Sequence, residues 1–159
     1  MLVAGLPATG KSTLCERMQA KLGFAHYDME HPERWPRPEL HQTWQVDIPA
    51  FVHEVGRYHR GKVVLDWGFP THCIGMVEQL EQSGVHVVWL TGDPNELRKS
   101  FVLRGGIPIE CFETQIRDIE AANLPGKRGW TVIRTVDSKG HRKSAEVVLM
   151  ALKFRLDSA

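Results

Sequence analysis

The sequence has few cysteines, no excess of either charge and no long apolar run, and each shortage removes a class of protein. Only three cysteines (Cys15, Cys73 and Cys111) occur among 159 residues, odd in number and outside any CxxC spacing. That excludes a disulfide scaffold and a cysteine-based zinc module, and the thiols read as incidental groups in a reducing cytosol. A cytoplasmic protein is therefore expected. The eight histidines are spread singly with no HExxH pair, so no metal site built by the protein alone is expected. Twenty basic against nineteen acidic residues leave a net charge of +1, which argues for neither nucleic acid nor an anionic membrane as partner. No apolar stretch approaches the roughly 18 residues of a membrane span. Met1–Leu6 is apolar but meets Pro7 without any basic residue before it, so no signal peptide is expected. Internal repeats and low-complexity segments are lacking as well.

What is there fits one globular domain over residues 1–159. Hydrophobic residues make up 42% and charged residues 25%, both ordinary shares. A chain of this length can bury about 70% of its unfolded surface, enough for a core without disulfides. Short apolar runs alternate with amphipathic windows, the pattern of βαβ units around a parallel sheet. Strands are predicted at Leu2–Ala4, Phe24–Asp28, Val63–Asp66, Val85–Leu90 and Thr131–Thr135. Helices are predicted over Lys11–Leu22, Pro49–Arg60, Thr71–Ser83, Asp93–Arg104, Ile109–Ala122 and Ser144–Arg155. Asp93-Pro94-Asn95-Glu96 combines an Asp cap, Pro at the first helical position and Glu at the third, a strong helix start. Between Glu30 and Trp44, Pro32, Pro36 and Pro38 forbid a regular helix, and an ordered loop is expected.

One motif carries chemistry. Gly5-Leu6-Pro7-Ala8-Thr9-Gly10-Lys11-Ser12 matches G-x-x-x-x-G-K-[ST] in full, with an apolar strand before it and a helix opening at Lys11. Chance supplies such a match about once in two hundred chains of this length. Glycines let the backbone curl so that successive N–H groups meet phosphate oxygens, and the helix N-terminus adds partial positive charge. Residues 5–13, ending at Thr13, are thus the expected nucleotide cradle. Lys11 is placed to reach the β and γ phosphates, and the Ser12 hydroxyl to bind Mg²⁺.

Two carboxylates end neighbouring strands. Asp66 closes an apolar run and is expected to orient Mg²⁺ or its water shell, the alternative being a turn cap before Gly68. Asp28 ends the second strand on the same crevice and is expected to accept the proton of an attacking hydroxyl, the alternative being a plain turn residue. Arg98 and Arg104 follow the fourth strand but diverge by about 120° on a straight helix, so both cannot face one phosphate group. Arg104, beside Gly105-Gly106, is the better candidate, against a solvated charged face. Trp35, Trp44 and Trp67 read either as core or as a stacking surface. Residues 29–62 hold five acidic and five basic side chains, so no basic groove is visible there.

With these residues in view, the sequence resembles the adenylate-kinase-like group of P-loop kinases. It is nearest the bacterial AAA-type ATPase/kinase branch that includes zeta-toxin-like and polynucleotide-kinase-like domains. LVAGLPATGKSTL at 2–14, VVLDWGFP at 63–70 and VVWLTGDPNELRKSFVLRGG at 87–106 carry the likeness. It implies a three-layer α/β fold with a five-stranded parallel sheet of order 2-3-1-4-5, and ATP with Mg²⁺ as cofactors. It also implies an acceptor-side insertion at about 29–60 and a lid at about 98–127. The loop after strand 5, near Arg134–Asp137, would lie beside the adenine, with Arg134 as a nucleotide contact. Two positions depart from the pattern: His31 and Ser100 stand where relatives often carry arginine.

A GTPase is disfavoured, since no [NT]KxD segment exists and Asp66-Trp67-Gly68-Phe69 is not DxxG. An ATPase motor is disfavoured by length and by Trp67 where a second acid is usual. The expected activity is transfer of the γ-phosphate of Mg-ATP to a hydroxyl of a small molecule, nucleoside or nucleic-acid end. A nucleotide-binding regulatory module is the alternative, and either a monomer or a dimer fits. Lys11→Ala is predicted to abolish ATP turnover while circular dichroism and melting temperature stay near wild type. Wild-type turnover in that variant would remove the phosphate-cradle assignment.

Overall fold

Near-continuous apolar runs in the strands and period-3.6 patterning between them build a sheet covered on both faces. The computed structural model describes residues 1–126 and 128–156. Lys127, the end of the expected lid, and residues 157–159 of the expected domain lie outside the described residues. The strands are β1 (Leu2–Gly5), β2 (Ala25–Asp28), β3 (Val63–Asp66), β4 (Val87–Gly92) and β5 (Thr131–Val136). The helices are α1 (Lys11–Leu22), α2 (His41–Val46), α3 (Ile48–Tyr58), α4 (Ile74–Gln82), α5 (Pro94–Arg104), α6 (Ile109–Ala121) and α7 (Ala145–Leu156). All strand pairs are parallel and the order is β2-β3-β1-β4-β5, as expected from the sequence.

Alternation sorts the core into two layers. Val3, Val64, Val88, Leu90 and Ile133 face Leu14 and Met18 of α1 and Val148 and Leu152 of α7. Leu2, Ala4, Tyr27, Leu65 and Trp89 belong to the opposite cluster, with Phe51 and Val55 of α3 and Val77 and Leu80 of α4. Helix ends follow local chemistry. Gly23 takes a left-handed conformation (φ 70°) that returns its N–H to the Gln19 carbonyl and ends α1. The Asp93 carboxylate accepts from the N–H groups of Asn95 and Glu96 and starts α5.

The structure differs from the sequence reading at several boundaries. β2 begins at Ala25 rather than Phe24. β4 begins at Val87 rather than Val85, because the Val85 N–H is taken by the Leu80 carbonyl at the end of α4 (2.9 Å). It continues to Gly92 because β5 pairs alongside as far as Val136. The segment expected to be loop from 30 to 44 forms two 3-10 turns, Pro32–Arg34 and Pro38–Leu40, and then helix α2. No proline occurs from 39 to 48, so nothing blocks that helix. The first turn of the helix expected at Thr71 is likewise 3-10, over Thr71–Cys73.

Trp35, Trp44 and Trp67 are core residues, not a stacking surface. Trp35 and Trp44 lie within 5.5 Å of the Phe51 ring by centroid, and Trp67 lies 5.3 Å from Trp44. Phe51 is fully buried at the centre of this cluster. Phe51→Ala is expected to cost about 3–5 kcal/mol of unfolding free energy. Val46→Ala, at a position 81% exposed, is expected to stay within about 0.5 kcal/mol. Urea unfolding followed by tryptophan fluorescence checks both, and equal losses would contradict the assigned core.

Candidate active site

The loop from Gly5 to Ser12 is shaped by backbone demands that its sequence meets. Gly5 has φ 133°, and a Cβ there would stand 2.0 Å from the Leu90 carbonyl oxygen, so only glycine lets β1 pass. Ala8 and Gly10 are also left-handed, with φ 61° and 90°, which curls the chain into a concave turn before α1. Ala8 does this at the cost of local strain.

The loop's carbonyls are engaged from outside. The Thr9 hydroxyl donates to the Leu6 carbonyl (2.7 Å), and the buried Thr135 hydroxyl of β5 donates to the Thr9 carbonyl (2.9 Å). An Arg142 guanidinium nitrogen donates to the Ala8 carbonyl at 2.9 Å. Lys11 folds back so that Nζ donates to the Leu6 carbonyl at 3.2 Å. At the start of α1 no side chain caps the helix and its first turn carries no acid. Acceptors are thus used up while helix N–H groups remain for an anion.

Two cavities meet at this loop. One, of about 310 Å³, is lined by Thr9, Gly10, Ser12 and Thr13 with Arg142 and Lys143 from the loop after β5. The other, of about 540 Å³, is lined by Pro7, Asp28, Glu30, Arg34, Asp66 and Gln115. Ala8, Lys11, Ser12 and Arg104 line both. A Cβ at Gly68 would come within 3.4 Å of both the Glu30 carboxylate and Lys11 Nζ, so glycine keeps this junction open. Burial pulls the Lys11 ammonium below its ordinary pKa, while the Asp66 and Glu30 carboxylates oppose that shift.

Asp28 and Asp66 lie directly opposite in the β2–β3 register. Asp66 is buried, and its Oδ2 makes no hydrogen bond among the described residues. Asp28 is half-buried, and its Oδ1 accepts the Glu30 N–H at 3.0 Å. Trp35 Nε1 donates to the Asp28 carbonyl and fixes the strand end. Gln115 of α6 donates to the Gly68 carbonyl at 3.1 Å and closes the second cavity from above.

The arginines part company. Arg104 reaches both cavities, with its guanidinium over the Phe101 ring. Arg98 instead pairs with Glu113 of α6 at 2.5 Å and lines neither cavity. Arg134, expected as a nucleotide contact, donates from Nε to the Val136 carbonyl at 3.3 Å and lines neither cavity. The basic groups that line the first cavity on that side are Arg142 and Lys143, which the sequence reading missed. The basic run Lys139-Gly140-His141-Arg142-Lys143 directly after β5 was the available signal.

A scan of protein-family models finds no match to this chain, and neither does a search of curated proteins. Solved structures do match. A gluconokinase from Sinorhizobium meliloti 1021 superposes with a TM-score of 0.59 at 20% identity, over 96% of this chain and 88% of that one. A shikimate kinase from Bacteroides thetaiotaomicron gives 0.60 at 16% identity, over 98% and 96%. A sugar kinase from Janibacter sp. HTCC2649 gives 0.65 at 12% identity, over 98% and 92%. The sheet order and these likenesses define the fold as that of the P-loop NTPases, which these kinases share. At these identities the likeness is one of fold.

The placement of the three arginines predicts separable effects. Arg142→Ala is expected to weaken Mg-ATP binding about tenfold, since it loses both a phosphate-side charge and a tie to the loop. Arg104→Ala is expected to lower kcat by up to about 10³-fold with ATP affinity near wild type. Arg98→Ala is expected to leave both nearly unchanged. Titration calorimetry and steady-state kinetics read these, and a loss for Arg98→Ala as large as for Arg104→Ala would contradict the placement.

Proposed function

We propose that this protein is an ATP-dependent phosphotransferase that moves the γ-phosphate of Mg-ATP to a hydroxyl of a small polar molecule. One observation carries the reading: two cavities on opposite sides of the phosphate loop share Lys11, Ser12 and Arg104. A nucleotide sensor needs the first cavity alone. Direct transfer needs a donor and an acceptor compartment that meet where charge develops. The kinase fold of the similar structures supports it, and the motif stretches at 63–70 and 87–106 favour the zeta-toxin-like branch within that fold.

The chain's residues fit Mg-ATP. The left-handed turns at Ala8 and Gly10 form the cradle, the α1 N-terminus lacks a side-chain cap, and Asp66 offers a buried oxygen without a hydrogen bond. Backbone groups of residues 8–13 would hold the phosphates, with the Ser12 hydroxyl and Asp66 on the metal side. Bound Mg-ATP supplies the phosphoryl group and part of the charge that stabilises its transfer. Lys11 and Arg104 neutralise charge at the meeting point of the cavities. Asp28, at the open end of β2, accepts the acceptor's hydroxyl proton on a carboxylate oxygen.

The acceptor compartment favours a small polar compound over a base or nucleic-acid end. Carboxylates, His31, Arg34 and Gln115 line it; Phe101 lines it too but is 5% exposed with the Arg104 guanidinium over its ring, and Trp35 and Trp67 are no more than 8% exposed. Among the described residues, the buried rings of Trp35, Trp67 and Phe101 offer no open face for stacking. The test is ADP release across a panel of sugars, sugar acids, polyols and nucleosides, with the product's mass recorded. Acceptor-stimulated turnover with a phosphorylated product is expected, and ATP hydrolysis unaffected by every acceptor would mean a regulatory module. Asp28→Asn is expected to lower transfer about 10²–10⁴-fold with ATP affinity retained. Asp66→Asn is expected to raise the Mg²⁺ requirement. An equal loss of nucleotide affinity in Asp28→Asn would remove the proton-acceptor role.

A further inference from the structure

Beneath α1, three metal-ligating side chains converge at a place the phosphotransfer scheme does not use as such. Cys15 lies on the inner face of α1, His26 on β2 and Asp66 at the end of β3, and one ligand atom from each lies within 4.8 Å of the others. Strand alternation explains the meeting. His26 pairs with Val64 and Asp28 with Asp66 in the β2–β3 register, so positions 26, 64 and 66 share the face that α1 covers.

The polar atoms there are unsatisfied. His26 Nε2 and Asp66 Oδ2 stand 3.5 Å apart, and neither makes a hydrogen bond among the described residues. The Asp66 side chain is only 5% exposed. Buried polar atoms without partners cost stability and are uncommon, so a pair of them facing a thiol calls for an occupant.

We propose that Cys15, His26 and Asp66 form a binding site for a thiophilic divalent cation of the zinc class, and that its occupancy inhibits the P-loop reaction. Sulfur, imidazole and carboxylate together suit zinc or cobalt, whereas Mg²⁺ and Ca²⁺ take oxygen ligands. Metal–ligand bonds of about 2.0–2.3 Å place tetrahedral ligand atoms roughly 3.3–3.8 Å apart, so side-chain shifts of about 1 Å close the site. Charge balances as well: a thiolate and a carboxylate cancel the ion's two charges, and imidazole binds neutral. Lys11, whose field reaches Asp66, then meets no net positive charge.

Binding breaks the Cys15 S–H bond, forms a sulfur–metal bond and releases the proton to water. Asp66 is the one of the three ligands that lines the larger cavity. An ion held there takes Asp66 away from Mg²⁺, and this inhibitory consequence rests on the phosphotransferase reading.

Titration of the metal-free full chain with Co²⁺, followed by absorption, tests the site without any turnover. A thiolate-to-cobalt charge-transfer band with one-to-one stoichiometry is expected in wild type. It is equally expected in Cys73→Ser/Cys111→Ser, which removes the other two thiols. The band is expected to vanish in Cys15→Ala, and in Cys15→Ser should the alanine variant fail to fold. His26→Gln is expected to raise the half-saturating Co²⁺ concentration at least about tenfold. No band in wild type, a band that survives in Cys15→Ala, or one that needs Cys111 would overturn the proposal.

Zn²⁺ is then expected to inhibit acceptor-dependent ADP release, with recovery on chelation. Cys15→Ala should turn over like wild type and lose that sensitivity, whereas equal inhibition of both would overturn the regulatory claim. A cobalt band without acceptor-dependent turnover would leave the site standing and remove the phosphotransferase reading alone.

Discussion

The backbone of Gly5 passes so close to the Leu90 carbonyl that no side chain fits between them, and the shape of the phosphate loop follows from that approach. β1 and β4 pair up to that residue, after which β1 turns away and the chain curls through Ala8 and Gly10 into α1. External donors then set what the loop offers. Thr135 of β5 and Arg142 of the following loop hold the carbonyls of Thr9 and Ala8, so the fifth strand fixes the first loop. Sheet order therefore matters to chemistry: the strand farthest along the sheet supplies the hydroxyl that stiffens the cradle. A preorganised cradle avoids the reorganisation cost that a flexible one would bear when charge develops.

Charge is concentrated where water is scarce. Lys11 is held below its ordinary pKa by burial, with Asp66 and Glu30 as its compensating carboxylates. Asp66 in turn keeps an oxygen with no hydrogen bond. Such an arrangement stabilises a fold poorly, since buried charges lose hydration that neighbours only partly restore. Stability comes instead from the two apolar layers and the aromatic cluster around Phe51. The polar junction is the place where local stability yields to a ligand's needs.

The sequence made the sheet legible because its signals are local. The apolar runs at 63–66 and 87–90, the glycine stops and the Asp93 cap each act within a few residues, and the strand order came with the resemblance. The shape of the Gly5–Ser12 segment was legible for the same reason, since it depends on consecutive backbone groups. What the sequence left unread depends on distant partners. Nothing near Arg98 announces Glu113, fifteen residues on, and nothing near Arg134 shows that its side chain turns back along its own strand. Arg142 reaches the loop only because β5 returns the chain to Ala8, 134 residues away in sequence. The boundary of the proline-rich segment was misread differently: three prolines were extended past the last of them, where a helix in fact begins at His41. Cys15 and His26 read singly as incidental groups, and only the β2–β3 register and the packing of α1 bring them to Asp66.

The central claim is that donor and acceptor meet directly across Lys11, Ser12 and Arg104. The fate of the γ-phosphorus tests it most directly. ATP carrying a γ-phosphoryl group chiral in its oxygen isotopes would be turned over with an acceptor that stimulates ADP release, and the configuration of the phosphate ester read by phosphorus NMR. Direct in-line transfer between the two cavities gives inversion with all label in the acceptor ester. Retention of configuration, or label found only in inorganic phosphate, would contradict the account.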